Sequence, residues 1–130
     1  MGNISKSTTA RNVAANAITA QVNLGSLYPN GHVSIYTSDS TKITFHSLSV
    51  PAFGPAVDGT ATAYPIMDAT GMVSPQATAS YFAFENCDGS SMWLGNVTLT
   101  GNGGALQLDS LVIPKDSTVV ISSAKYQVPV

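Results

Sequence analysis

From Thr9 to Asn23 the apolar side chains Ala10, Val13, Ala14, Ala17, Ile18 and Val22 recur at three- and four-residue spacing. That period predicts a helix with one apolar face. Thr8 or Thr9 supplies an N-cap oxygen, and Gly25 is placed to end it. The stripe is mostly alanine, so the face is thin. A thin face suits close approach to a flat surface, either the domain's own sheet or a neighbouring subunit.

Beyond Gly31 the period falls to two, the spacing of half-buried strands. Val33 and Ile35 share one face of His32–Thr37, and Ile43 and Phe45 continue that parity in Lys42–His46. The phase changes at Ser47-Leu48, as at a bulge or strand end. Val50–Pro55 reads as an irregular loop anchored by Phe53. Asp58-Gly59 turns into a strand over Thr60–Tyr64, which Pro65 ends or confines to an edge. Strands over Ala77–Glu85 and Met92–Thr100 flank a turn at Asp88-Gly89. Phe82 and Phe84 share a face in the first; Trp93, Val97 and Leu99 share a face in the second. Gly101–Gly104 turns into Leu106 and Leu108, and Pro114-Lys115-Asp116 into a last strand over Thr118–Val128. Its parity shifts near Ser122-Ser123.

Seven or eight short strands with Gly and Pro turns predict an all-β fold. The expected form is an antiparallel β-sandwich, jelly-roll-like, with one short N-terminal α-helix. Residues 1–25 form an arm and helix and residues 26–130 the sandwich, within a single compact domain.

Composition changes the picture on one point. Only 12 of 130 residues are charged, 5 basic and 7 acidic, while 29 are Ser or Thr. Roughly a quarter is usual for a globular domain. A surface this poor in ions packs against another protein without stripping water from many charges. The scattered cations and net charge of −2 argue against nucleic-acid binding. No apolar run has the length of a membrane span. Met1–Thr9 is polar and lacks a leader's apolar stretch, so synthesis in the cytoplasm without a cleaved leader is expected.

No catalytic pattern emerges. Cys87 is the only cysteine, and flanking Glu85 and Asp88 argue against a nucleophilic thiolate, so it reads as a turn residue. His32 and His46, out of phase with the core positions, read as a solvent-facing strand pair with no third metal ligand. Asp39, Asp58, Asp88 and Asp116 lie in turns, leaving Asp68, Glu85 and Asp109 without an evident acid–base partner. No metal, cofactor or enzymatic role is expected. The candidate interface residues are Arg11, Val13, Ala14, Ala17 and Ile18 on the helix, with Tyr36 and Tyr81 on strands, out of phase with the core.

The succession Thr9-Ala10-Arg11-Asn12, Val33-Ser34-Ile35-Tyr36-Thr37, Pro51-Ala52-Phe53-Gly54, Gly59-Thr60-Ala61-Thr62-Ala63, Ala77–Phe82, Gly95-Asn96-Val97 and Val119–Ser123 resembles a family of small all-β virion proteins of tailed bacteriophages. The resemblance spans nearly the whole chain but rests on turn and core signatures. Ala83 departs from it, standing where relatives often carry a basic residue. The resemblance implies a capsid cement or decoration protein on the outside of the head shell, made in the host bacterial cytoplasm. Its expected partners are the major capsid protein and further copies of itself, as a dimer or trimer. A tail, neck or fibre-attachment component is the alternative. A carbohydrate-binding β-sandwich, with Trp93 and surface tyrosines as stacking platforms, is a third reading.

Overall fold

Ser7 opens the first element of the computed structural model, which describes residues 7–128. Its hydroxyl accepts the Ala10 N–H at 3.1 Å and caps helix α1, Thr8–Ala20. The cap therefore lies one residue before the expected Thr8. A 3-10 turn, Gln21–Asn23, completes the helical span, and Gly25 follows with φ of 121°. The expected arm falls mostly in residues 1–6, outside the described residues.

The rest is β. Among the described residues the strands are β1 (His32–Tyr36), β2 (Lys42–Ser47), β3 (Thr60–Thr62), β4 (Ala69–Thr70), β5 (Gln76–Thr78), β6 (Tyr81–Glu85), β7 (Ser91–Leu99), β8 (Leu106–Leu108), β9 (Val112–Pro114), β10 (Thr118–Val119) and β11 (Ile121–Gln127). Seven form one sheet in the order β2-β1-β6-β7-β8-β11-β3, while β10 pairs with β4 and β5 with β9. The protein is thus mostly β with one short helix and several antiparallel pairings.

The turn at Asp88-Gly89 makes the expected hairpin, with Phe84 opposite Trp93 and Ala83 opposite Leu94. Asp58-Gly59 also turns as expected. Both residues have positive φ, 52° and 77°, and Val57 and Thr60 exchange backbone hydrogen bonds.

Four expectations are corrected. The strand expected over Ala77–Glu85 divides at Ala79-Ser80, so that β5 joins β9 and β6 joins the large sheet. The last strand divides at Val120 into β10 and β11. β7 and β8 run parallel, with Val97 beside Leu106 and Leu99 beside Leu108. The connection folds back through Gly101 and Gly103, both at positive φ, and a Cβ on Gly104 would fall 2.2 Å from the Thr98 hydroxyl.

The fourth correction concerns β2. Tyr36 opposes Lys42 while Ile35 opposes Thr44, leaving Ile43 as the extra residue of a bulge. Ile43 is buried, but beyond it Thr44 and His46 share the core face with Ile35 and Val33, and Phe45 points the other way.

On the core face, Val33, Ile35, Phe82, Phe84 and Val97 pack with Leu106, Leu108, Ala61 and Ala124, and Phe53 inserts from the 50–55 loop. Trp93 lies against this group, 4.7 Å from Phe84 ring to ring, with Leu99 exposed at the strand's end. Both sheet edges are covered by backbone. Met67 and Met72 donate to Ser47 and Ile43 beside β2, and Gly54 donates to Thr62 beside β3.

Helix α1 lies across this core, and its orientation is the largest departure from expectation. Ala15 and Val22 are buried, but Val13 is 64% exposed and Ile18 38%, with Ala10 and Ala17 also exposed. Ala15, Thr19 and Val22 form the inward face, and asparagines line its margin. Asn12 accepts the Gly59 N–H at 2.7 Å, Asn16 the Ala56 N–H at 2.9 Å and Asn23 the Ala52 N–H at 3.1 Å. Each satisfies a backbone donor of the 52–59 segment that would otherwise be orphaned.

Asn12→Ala and Asn16→Ala are each expected to lower stability by about 1–2 kcal/mol, because a partly buried N–H loses its acceptor. Val13→Ser, exposed and without a backbone partner, is expected to change it by less than about 0.5 kcal/mol. Urea denaturation midpoints compare them. A larger loss for Val13→Ser than for Asn16→Ala would contradict this orientation.

Candidate functional site

Two surfaces hold the residues singled out above. The first is the outer face of α1. Val13, Ala17 and Ile18 lie together there with Ala10, and Ala14 sits half-buried at the flank. Arg11 does not join them. Its guanidinium lies so close to Gly59 that a Cβ there would fall 2.7 Å from it. The apolar strip is therefore free of charge. It continues past the helix into Leu24 and Leu27, 54% and 68% exposed.

The second surface is the face of the large sheet away from the core, around β1, β2 and β6. Tyr36 and Tyr81 are cross-strand partners whose rings stack at 5.0 Å, and the Tyr81 hydroxyl bonds Ser40. The Lys42 ammonium sits 4.8 Å from the Phe45 ring centre and 5.8 Å from that of Tyr36. His32 stacks on Phe45 at 4.0 Å and meets Tyr28 edge-on at 4.9 Å.

Beneath these rings lies a carboxylate. Glu85 is only 6% exposed, accepting from the Ser34 hydroxyl at 2.7 Å and the Tyr36 hydroxyl at 3.3 Å. Hydroxyl donors take the place of a cation in that bonding set. Ala83, cross-strand from Ser34, is buried and leaves the carboxylate room. Burial first, and then Glu85, push the Tyr36 phenol up from its ordinary value. Reading strands by alternation missed the burial of Glu85. Its one signal was parity with Tyr81, on the same side of β6.

The histidines correct the expected solvent-facing pair. Both are buried, and they lie on opposite faces of the sheet. His46 donates Nδ1–H to the Met67 carbonyl at 2.8 Å, and its Nε2 accepts the Thr44 hydroxyl at 2.9 Å. It ties the 64–68 loop to β2. Cys87 is also buried, with Sγ 3.7 Å from the Val22 carbonyl, so it packs the turn against the helix end. Asp88 serves a second segment as well as its own turn, accepting from the Ser26 and Leu27 N–H groups. Among the described residues no cluster of three His, Cys, Asp or Glu side chains is placed to hold a metal, and no helix is long and apolar enough to cross a membrane.

No family model, no curated protein and no solved structure matches this chain.

Burial is the main cause holding His32 and His46 below their ordinary value of 6.5. For His32, Glu85 opposes the shift and Lys42 adds to it; for His46, the Met67 carbonyl and Asp68 oppose it. The unfolded chain then takes up protons first as pH falls. Stability is complete above about pH 6.5 and declines below it. Urea midpoints measured from pH 7.5 to 5 are expected to fall, with a shallower slope in His46→Gln. A midpoint that holds steady until carboxylates titrate would refute this.

Proposed function

We propose that this chain is a non-enzymatic structural virion protein of a tailed bacteriophage: a capsid cement protein, built as a jelly-roll-like β-sandwich, that binds the outside of the head shell. The observation that carries the reading is the outer face of α1. A helix that packs inward through Ala15, Thr19 and Val22, bonds its neighbours through marginal asparagines and leaves an uncharged strip of Val13, Ala17 and Ile18 outward has the surface of an assembly component. The scarcity of charge across the chain and the sequence resemblance point the same way. Trp93 is half-buried against Phe84, Phe53 and Tyr126, which weighs against it as the stacking platform of the carbohydrate reading.

The physical mechanism is linkage. A protein that binds assembled shell and not its free subunits stabilises the shell by RT ln(1 + [L]/Kd) at each site, and the effect accumulates over many sites. Weak single contacts suffice when an oligomer engages several subunits at once.

The test is co-sedimentation with empty heads of the virus that carries this gene. Saturable binding at an icosahedral copy number is expected, weakened about tenfold or more in a Val13→Glu, Ile18→Glu double variant through lost apolar contact or avidity. Absence from heads, or a few copies at the tail or neck, would overturn the cement role.

A further inference from the structure

We infer that Asn102-Gly103 is a site of spontaneous covalent modification, at which the Asn102 amide is lost as ammonia and a carboxylate takes its place. The fold protects Asn30-Gly31 from the same reaction. Neither statement depends on the assembly reading above.

The reaction needs only the chain and water. The Gly103 backbone nitrogen attacks Cγ of Asn102. As the new N–Cγ bond forms, the Cγ–Nδ2 bond breaks, and the Gly103 N–H proton leaves with the departing ammonia. Water then opens the cyclic imide at one of its two carbonyls. Opening the N–Cγ bond leaves aspartate; opening the bond to the main-chain carbonyl leaves isoaspartate, whose link to Gly103 runs through Cγ. Nothing is oxidised or reduced. A glycine after the asparagine has no Cβ to obstruct the approach, and its backbone turns freely into the attacking geometry.

Four steps in the chain place glycine directly after Asn or Asp: Asn30-Gly31, Asp58-Gly59, Asp88-Gly89 and Asn102-Gly103. Three of them are held. Asn30 donates Nδ2–H to the Leu48 carbonyl at 2.7 Å, and Gly31 is buried so tightly that a Cβ there would fall 2.4 Å from the Val22 carbonyl oxygen. The Gly59 N–H is bonded to Asn12 at 2.7 Å. The Gly89 N–H is bonded to the Asn86 carbonyl at 3.0 Å, while Asp88 accepts from Ser26 and Leu27. Closing a ring at any of these steps breaks a bond that the fold has made.

Asn102-Gly103 has no such restraint. Both residues are exposed, and a Cβ added to Gly101 or Gly103 would meet nothing within 4 Å. Among the described residues no group bonds the Asn102 side chain or the Gly103 N–H. The loop is fastened on either side of the pair instead. Gly101 donates to Gln107 Oε1 at 3.0 Å, and Gln107 Nε2 donates to the Gly104 carbonyl at 3.1 Å. The attacking nitrogen and its target are thereby kept on one short, solvated loop and left free to turn. The product adds a negative charge to a chain whose net charge is −2. It does so in the connection that brings β8 parallel to β7.

The test is to hold the purified full chain in mildly alkaline buffer, following it by isoelectric focusing and by peptide mapping that separates aspartate from isoaspartate. One more acidic species is expected to accumulate, carrying both products at position 102 and intact Asn30. Asn102→Gln should slow its appearance at least about tenfold, because the ring to be closed is larger. In denaturing urea the two Asn-Gly steps should react at similar rates, which separates protection by the fold from intrinsic reactivity. An Asn102 that stays intact in the folded chain would overturn the inference. So would an Asn30 that reacts as fast as Asn102 in the folded chain, or one that urea does not open to reaction.

Discussion

An extended backbone pressed against a core must find acceptors for its N–H groups, and in the 52–59 segment helix α1 provides them. The segment buries Ala52, Phe53 and Ala56 and covers the edge of β3 through the Gly54–Thr62 and Tyr64–Ala52 hydrogen bonds. Its other donors point the opposite way, to Asn12, Asn16 and Asn23. Sheet edge, segment and helix are thereby linked in one stack. The cost of orphaned amides acts together with the burial of Ala15, Thr19 and Val22 to set which side of the helix faces in. The apolar strip on its outer side follows from that constraint.

The same economy recurs elsewhere. With few ions available, neutral side chains bind backbone across the fold. Asn30 donates to the Leu48 carbonyl, and Asn86 accepts from Asp88 and Ser90 within the hairpin turn. His46 joins Thr44 to the Met67 carbonyl inside the core. Even buried Glu85 is bonded by hydroxyls from β1. Structure is held by short directional bonds inside, and the surface is left poor in charge. That combination suits a protein whose work is contact, since little water has to be stripped from ions when faces meet.

The helix, the β6–β7 hairpin and the Asp58-Gly59 turn were legible because each is specified locally, by a 3.6-residue period or by residues that tolerate positive φ. Parity in β2 was not legible. One bulge residue, Ile43, reverses the faces of everything after it, and nothing in Lys42–His46 marks the extra residue. The division at Ala79-Ser80 was hidden for a similar reason: two short strands of different sheets, placed end to end, look like one. In the candidate site, Val13, Ala14, Ala17 and Ile18 were found together by periodicity, while Arg11 was misplaced because its packing on Gly59 depends on a residue far along the chain. The asparagine clamps left a readable trace, since Asn12 and Asn16 stand four apart on one helical face.

The sequence by itself determined that there would be a helix with an apolar stripe, a β-rich remainder, turns at named glycines and a surface short of charge. These depend on neighbours within a few positions or on composition alone. Tertiary structure decided which way the stripe would look. Hydrophobic periodicity says that one face is apolar, yet burial goes to whichever face best satisfies what it covers. Here Ala15, Thr19 and Val22 took the inward side, with Asn12, Asn16 and Asn23 bonding a row of backbone amides at its margin, and the Val13, Ala17 and Ile18 strip was left outside.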